Sequence, residues 1–245
     1  MENTELKSNI SKFGNKISLI TAILTIITFA IAVMTPPLSG PFCKADCFQY
    51  PFTDIASRFP RDYYWMYFAM ILMIAYLIMM ITIHQTVVNE KKYFSLISIS
   101  FSIMTTLILF ADYFIQVYVI QPSILAGETD GISLLSQFNP HGIFIVLEEI
   151  GFLFMILSFF ALIPVFSNNN SNQKAIKWVS IIGFCLTITS FLLISVFHGI
   201  NREYRFEVAV ISIAWIEMIV LCFLFARHFK IITTTIQYKN INHEK

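Results

Sequence analysis

Asp112, Glu148, Glu149 and Glu217 are the side chains of this sequence best able to do chemistry, because each stands inside an apolar run. The stretch FNPHGIFIVLEEIGFLF, residues 138–154, sets two adjacent acids among Ile, Val, Leu and Phe. A carboxyl group in such surroundings can hold or exchange a proton, complement a cation or, beside a histidine, act in acid–base catalysis. His141 lies one heptad before Glu148, and His198 closes another apolar run beside GINREYR. Gln116 follows Asp112 by one helical turn. These seven residues are the expected ligand-binding set.

Helical spacing decides which of them can meet. At 3.6 residues per turn, Ser98, Thr105, Asp112 and Gln116 share one face, which implies a cavity or a helix contact. Ser180, Thr187 and His198 share another. Thr21, Thr25, Thr28, Ala32 and Thr35 form a stripe of small residues suited to close helix packing. Glu148 and Glu149 diverge by about 100°, so one helix cannot aim both at the same point. Asn139, Pro140 and His141 are expected to cap this helix, and the positive end of its dipole favours acids in its first turns.

The elements that must hold these residues follow from composition. Of 245 residues, 57% are hydrophobic and 13% charged, and the mean hydropathy is +0.72. Soluble domains carry about 25% charge, so this chain lacks the polar surface to cover itself in water. Its apolar residues fall into six runs, near 17–35, 64–84, 94–120, 144–166, 178–198 and 206–227. Each approaches the roughly 20 residues that cross a bilayer core. Lipid offers no partner to free amides, and continuous runs do not suit a barrel's alternating strands, so all six are expected to be helices. An acid at the bilayer centre costs about 2.5–3.5 kcal/mol on insertion scales, which should turn these acids toward the bundle interior.

Lys and Arg sort by loop. Lys7, Lys12, Lys16, Lys91, Lys92, Lys174, Lys177, Arg227, Lys230, Lys239 and Lys245 fall on one side; Lys44, Arg58, Arg61, Arg202 and Arg205 fall on the other. The positive-inside rule makes the richer side cytoplasmic. The expected architecture is an all-α integral membrane protein, a six-transmembrane-helix bundle with N and C termini cytoplasmic. Residues 1–16 and 231–245 would be tails, and 17–230 a single membrane domain. Ala30-Ile31-Ala32 resembles a signal-peptidase site, which makes a cleaved leader the rival reading of the first run, but the run is long for a signal and a retained helix is expected. The sequons at Asn9 and Asn169 fall on the cytoplasmic side and count as chance matches.

The outer loop 36–63 begins with Pro36 and Pro37, which end the first helix by removing amide donors. Residues 52–59 are expected to form a short interfacial helix. Tyr63, Tyr64, Trp65 and Tyr67 should mark the headgroup level. Cys43 and Cys47, on the extracytoplasmic side, are expected to form a disulfide. A C-x-x-x-C spacing is not a redox motif, and two cysteines leave a metal's coordination incomplete.

No H-E-x-x-H, G-x-S-x-G or phosphate-cradling glycine loop is present. A Glu-Glu pair opening a membrane helix is similar to the start of the glutamate-type CAAX-processing intramembrane proteases. Their pattern continues with Arg four residues after the second Glu, where this chain has Leu153, so it is not assigned to them. Neither a metal nor a cofactor is expected, and the net charge of +1 gives no case for nucleic acid. Asp112 and Glu217 fall in the third helix of each half at different depths, which does not support an inverted repeat.

The six acid and histidine residues concentrate toward the outer half of the spans, below the arginines of the outer loops. The expectation is a multi-pass protein of the cell membrane with an outward-facing acidic pocket. It would bind, sense or transport a small cationic or amphiphilic ligand, or protons. Lipid is its surrounding partner and a lipid could also be its ligand; nothing in the pattern sets an oligomeric state. Whether it is an enzyme is left open by the sequence: a membrane-embedded enzyme using carboxylate and histidine on a lipid is the second reading, and a non-catalytic subunit or accessory protein the third.

Overall fold

A computed structural model describes residues 2–168 and 170–243, without the side chains of 2–4, 203 and 239–243. Among the described residues the chain is all-helical, with six helices long and apolar enough to span a membrane. They are α1 (Glu2–Met34), α2 (Tyr64–Thr86), α3 (Lys92–Ile115), α4 (Ile143–Ala161), α5 (Ser171–His198) and α6 (Glu203–His243). Each apolar run has its helix, but the ends differ from expectation for physical reasons. Of the residues expected as tails, 2–16 and 231–243 belong to α1 and α6 as helix. At 1.5 Å per residue these two reach about 50 and 60 Å, well beyond the roughly 30 Å of a bilayer core. Hydropathy reports where apolar surface stops, not where backbone hydrogen bonding stops. α4 ends at Ala161 although apolar residues continue to Phe166, because Pro164 cannot extend the helix. α5 starts before its apolar run, where the Asn170 side chain accepts the Gln173 N–H at 2.8 Å and caps it. Asn169 and Lys245 lie outside the described residues.

α1, α2, α3, α4 and α6 touch in a closed cycle, and α5 lies outside it against α4 and α6. The most apolar stretch of α2 is 61% buried and that of α5 only 17%, so α2 is enclosed and α5 peripheral. α1 and α6 run antiparallel. The Ser11 hydroxyl donates to the Phe229 carbonyl at 2.7 Å, the Asn15 amide to that of Ala226 at 2.8 Å, and the Phe29 and Trp215 rings meet edge to face. Thr21, Thr25 and Thr28 are buried and donate to the carbonyls of Ile17, Thr21 and Leu24, so this stripe packs against neighbouring helices.

The α3 stripe proves to be a helix contact. Ser98 donates to the Ser158 carbonyl at 2.8 Å and Thr105 to that of Gly151 at 3.2 Å. A Cβ at Gly151 would stand 2.5 Å from the Leu109 side chain, so glycine lets that leucine of α3 pack directly on α4. That approach brings Tyr113 and Asp112 alongside Glu148 of α4. Beyond Ile115, α3 continues through a π-helical segment, Gln116–Ile120, and a further helical turn, Gln121–Leu125.

The 36–63 loop closes one end of the bundle. Its short helix is a 3₁₀ segment, Thr53–Arg58, and Cys43 and Cys47 are joined in a disulfide. Tyr63 and Trp65 turn inward and are buried, leaving only Tyr64 and Tyr67 nearer the surface. Asn139 does not cap α4: its side chain accepts the His141 N–H at 3.0 Å in the turn before, and Gly142 is the residue at the helix start.

Candidate functional site

Below this loop is a cavity of about 280 Å³, enclosed by the end of α1, residues 35–42, the start of α2, Gln137–Phe138 and the first turns of α4 and α6. Three acids line it: Asp62, Glu148 and Glu207. Apolar walls come from Phe29, Trp65, Phe144, Ile211 and Trp215. Two of these aromatics are braced by others, Trp65 by Tyr113 (ring centroids 5.0 Å apart) and Trp215 by Phe152 (5.8 Å). The indole N–H of buried Trp215 has no acceptor among the described residues.

The three acids are not equivalent. Asp62 is matched by cations: Arg58 Nε donates to Oδ2 at 2.6 Å and Arg61 Nε to Oδ1 at 3.0 Å. Glu148 receives the Tyr113 hydroxyl on Oε1 at 2.8 Å. Its carboxyl stands within hydrogen-bonding reach of the Glu207 carboxyl. Glu207 Oε2 has no donor among the described residues, and two ionised carboxylates cannot donate to each other. Asp112 lies behind the pair, close enough to interact with both, and its buried Oδ2 also lacks a donor among the described residues. The site therefore concentrates acids on an aromatic floor, with Arg58 and Arg61 at its edge both engaged by Asp62.

Glu149 lies on the other side of α4. Arg202 Nη1 reaches its Oε2 at 3.4 Å while the guanidinium covers the Phe191 ring at 4.9 Å. The 100° separation read from spacing thus sends Glu148 toward α3 and α6, and Glu149 toward the α5–α6 link. Gln116 does not line the cavity. Its amide donates to the Leu135 carbonyl at 2.6 Å and its oxygen accepts the Gln137 N–H at 3.0 Å, which fixes the segment carrying Phe138.

Three expected members stand elsewhere. Glu217 is ten residues from Glu207, about 15 Å along α6 and about 80° round it. It is buried against Gly183 of α5, and neither of its oxygens has a hydrogen-bond partner among the described residues. His141 and His198 are exposed and outside the cavity lining. Among the described residues, no three His, Cys, Asp or Glu side chains stand where they could hold a metal.

Two lining acids, Asp62 and Glu207, were not in the expected set. Asp62 lay in a stretch read as loop. Glu207 fell at the very start of an expected span, but the spacing Glu207, Ile211, Trp215 already places it one helical turn at a time above a tryptophan.

The fold and site define a class: an all-helical protein with six helices able to span a membrane and an acidic, aromatic-walled cavity at one end. Compared with family models, curated proteins and solved structures, the chain matches none.

Proposed function

We propose that the six helices cross the cell membrane with both termini cytoplasmic, and that the cavity opens outward and binds a small organic monocation with an apolar body. The distribution of Lys and Arg supports the orientation. Exposed apolar side chains on the outer faces, such as Leu107, Leu192 and Val196, support the surrounding lipid. The ligand class rests on one observation: Glu148 and Glu207 line an aromatic cavity in which the described residues supply them no cation. Carboxylate attracts the charge, and Trp, Tyr and Phe faces attract a cation while burying its apolar part. With both histidines outside the cavity, the paired acid–base chemistry of a lipid enzyme has less support.

Benzyltrimethylammonium is a suitable probe, with benzenesulfonate as the control of similar body and opposite charge. A ligand at a hundred times its Kd stabilises by about 2.7 kcal/mol. The cation should raise the unfolding temperature of the purified protein and the sulfonate should not. Glu148→Gln should remove most of that shift, and Glu217→Gln, away from the cavity, should keep it. Equal shifts for both probes, or a full shift in Glu148→Gln, would overturn this reading.

A further inference from the structure

We propose that Glu148 and Glu207 hold one proton between them in the empty cavity and that a bound monocation displaces it, so that the site exchanges a cation for a proton. This rests on the ligand class proposed above.

The geometry carries the inference. The two carboxyls face each other across the α4–α6 contact, both line the cavity, and neither is matched by a cation among the described residues. Like charges at contact in a buried site do not both ionise. Every other group near the pair works in the same direction or is already engaged. From α3, Tyr113 donates to Glu148, and Asp112 brings another acid and no positive charge. From α6, Tyr204 brings a hydroxyl but no positive charge. The guanidinium of Arg202 is taken by Glu149, and those of Arg58 and Arg61 by Asp62. The shared proton is therefore the positive charge that the pair itself supplies.

A cation seated against both acids takes that role. It comes between the carboxyls, which weakens the hydrogen bond that retained the proton, and it favours the ionised form of each. The exchange balances as one carboxyl–carboxylate pair plus one cation giving two carboxylates, the bound cation and one released proton. The charge of the occupied site is then the same as that of the empty one. Protons and cation compete, so affinity rises with pH and falls in acid.

The test is calorimetric titration of the purified full chain with benzyltrimethylammonium, which has no proton of its own, at one pH in phosphate and in Tris. The expected result is a binding enthalpy that differs between buffers by the difference in their ionisation enthalpies, corresponding to about one proton released per cation. Glu207→Gln should reduce that release to about zero. Should that variant not fold, the wild type still decides: Kd should fall about tenfold per pH unit across the range in which the pair is protonated. Binding with the same enthalpy in both buffers and a Kd flat with pH would overturn the exchange while leaving the ligand class standing. Absence of any binding would remove both.

Discussion

Gly183→Ala probes Glu217, a buried acid outside the cavity lining. A Cβ on Gly183 would lie 1.9 Å from Glu217 Oε2, 2.3 Å from its Cδ and 2.8 Å from Oε1. The carboxyl occupies the space that glycine leaves, and it must move if a methyl group arrives. Inserting atoms into a packed interior costs about 1–3 kcal/mol. Replacing a mid-helix glycine by alanine returns up to about 1 kcal/mol of helix propensity. The single variant should therefore change by only about 0–2 kcal/mol, too little to decide the matter alone.

A double-mutant cycle separates the two effects. Glu217→Ala removes the atoms that the new methyl meets, so in that background Gly183→Ala should be neutral or stabilising. The coupling between the sites should be about 1–3 kcal/mol, the full overpacking penalty. Glu217→Gln keeps the shape and removes only the acid, so with it the penalty should persist; a clash of volume is thereby told apart from a clash of charge. The assay is thermal unfolding of the purified protein followed by tryptophan fluorescence, at about 2–4 °C per kcal/mol for a chain of this size. Additivity of Gly183→Ala and Glu217→Ala within about 0.5 kcal/mol would refute the reasoning, because it would mean that α5 and α6 do not meet through this glycine.

Two further expectations follow. Arg58→Ala should lower stability more than Arg61→Ala, because Arg58 meets Asp62 at 2.6 Å with 25% of its side chain exposed whereas Arg61 meets it at 3.0 Å and is 65% exposed; the reverse order in thermal unfolding would mean that Asp62 is held in another way. Cysteines placed singly at the exposed positions Glu128 and Lys174 report orientation. In intact cells a membrane-impermeant maleimide should label Glu128→Cys, and Lys174→Cys only after lysis, and the opposite pattern would invert the proposed topology.

What the sequence disclosed depended on the range of the physics involved. The six long apolar helices were legible because about twenty apolar residues in a row leave the backbone one economical solution, a helix. The separation of Glu148 from Glu149 was legible for a similarly local reason, since helical rotation alone sends them to different neighbours. The company each acid keeps was not, because it is set between helices. Glu217 and Asp112 look alike in a hydropathy plot, yet the absence of a side chain at Gly151 draws α3 toward Glu148 and the absence of one at Gly183 gives Glu217 a separate niche. A missing methyl group 34 residues from Glu217, or 39 from Asp112, carries no signature in the run that contains the acid. Glu207 shows the intermediate case: its spacing to Ile211 and Trp215 fixed the face it shares with them, but not that Glu148 would stand opposite. Acids in apolar helices are therefore best sorted by the small residues on the helices facing them, and in this chain that criterion separates a carboxyl pair lining a cavity from a carboxyl that fills a gap between two helices.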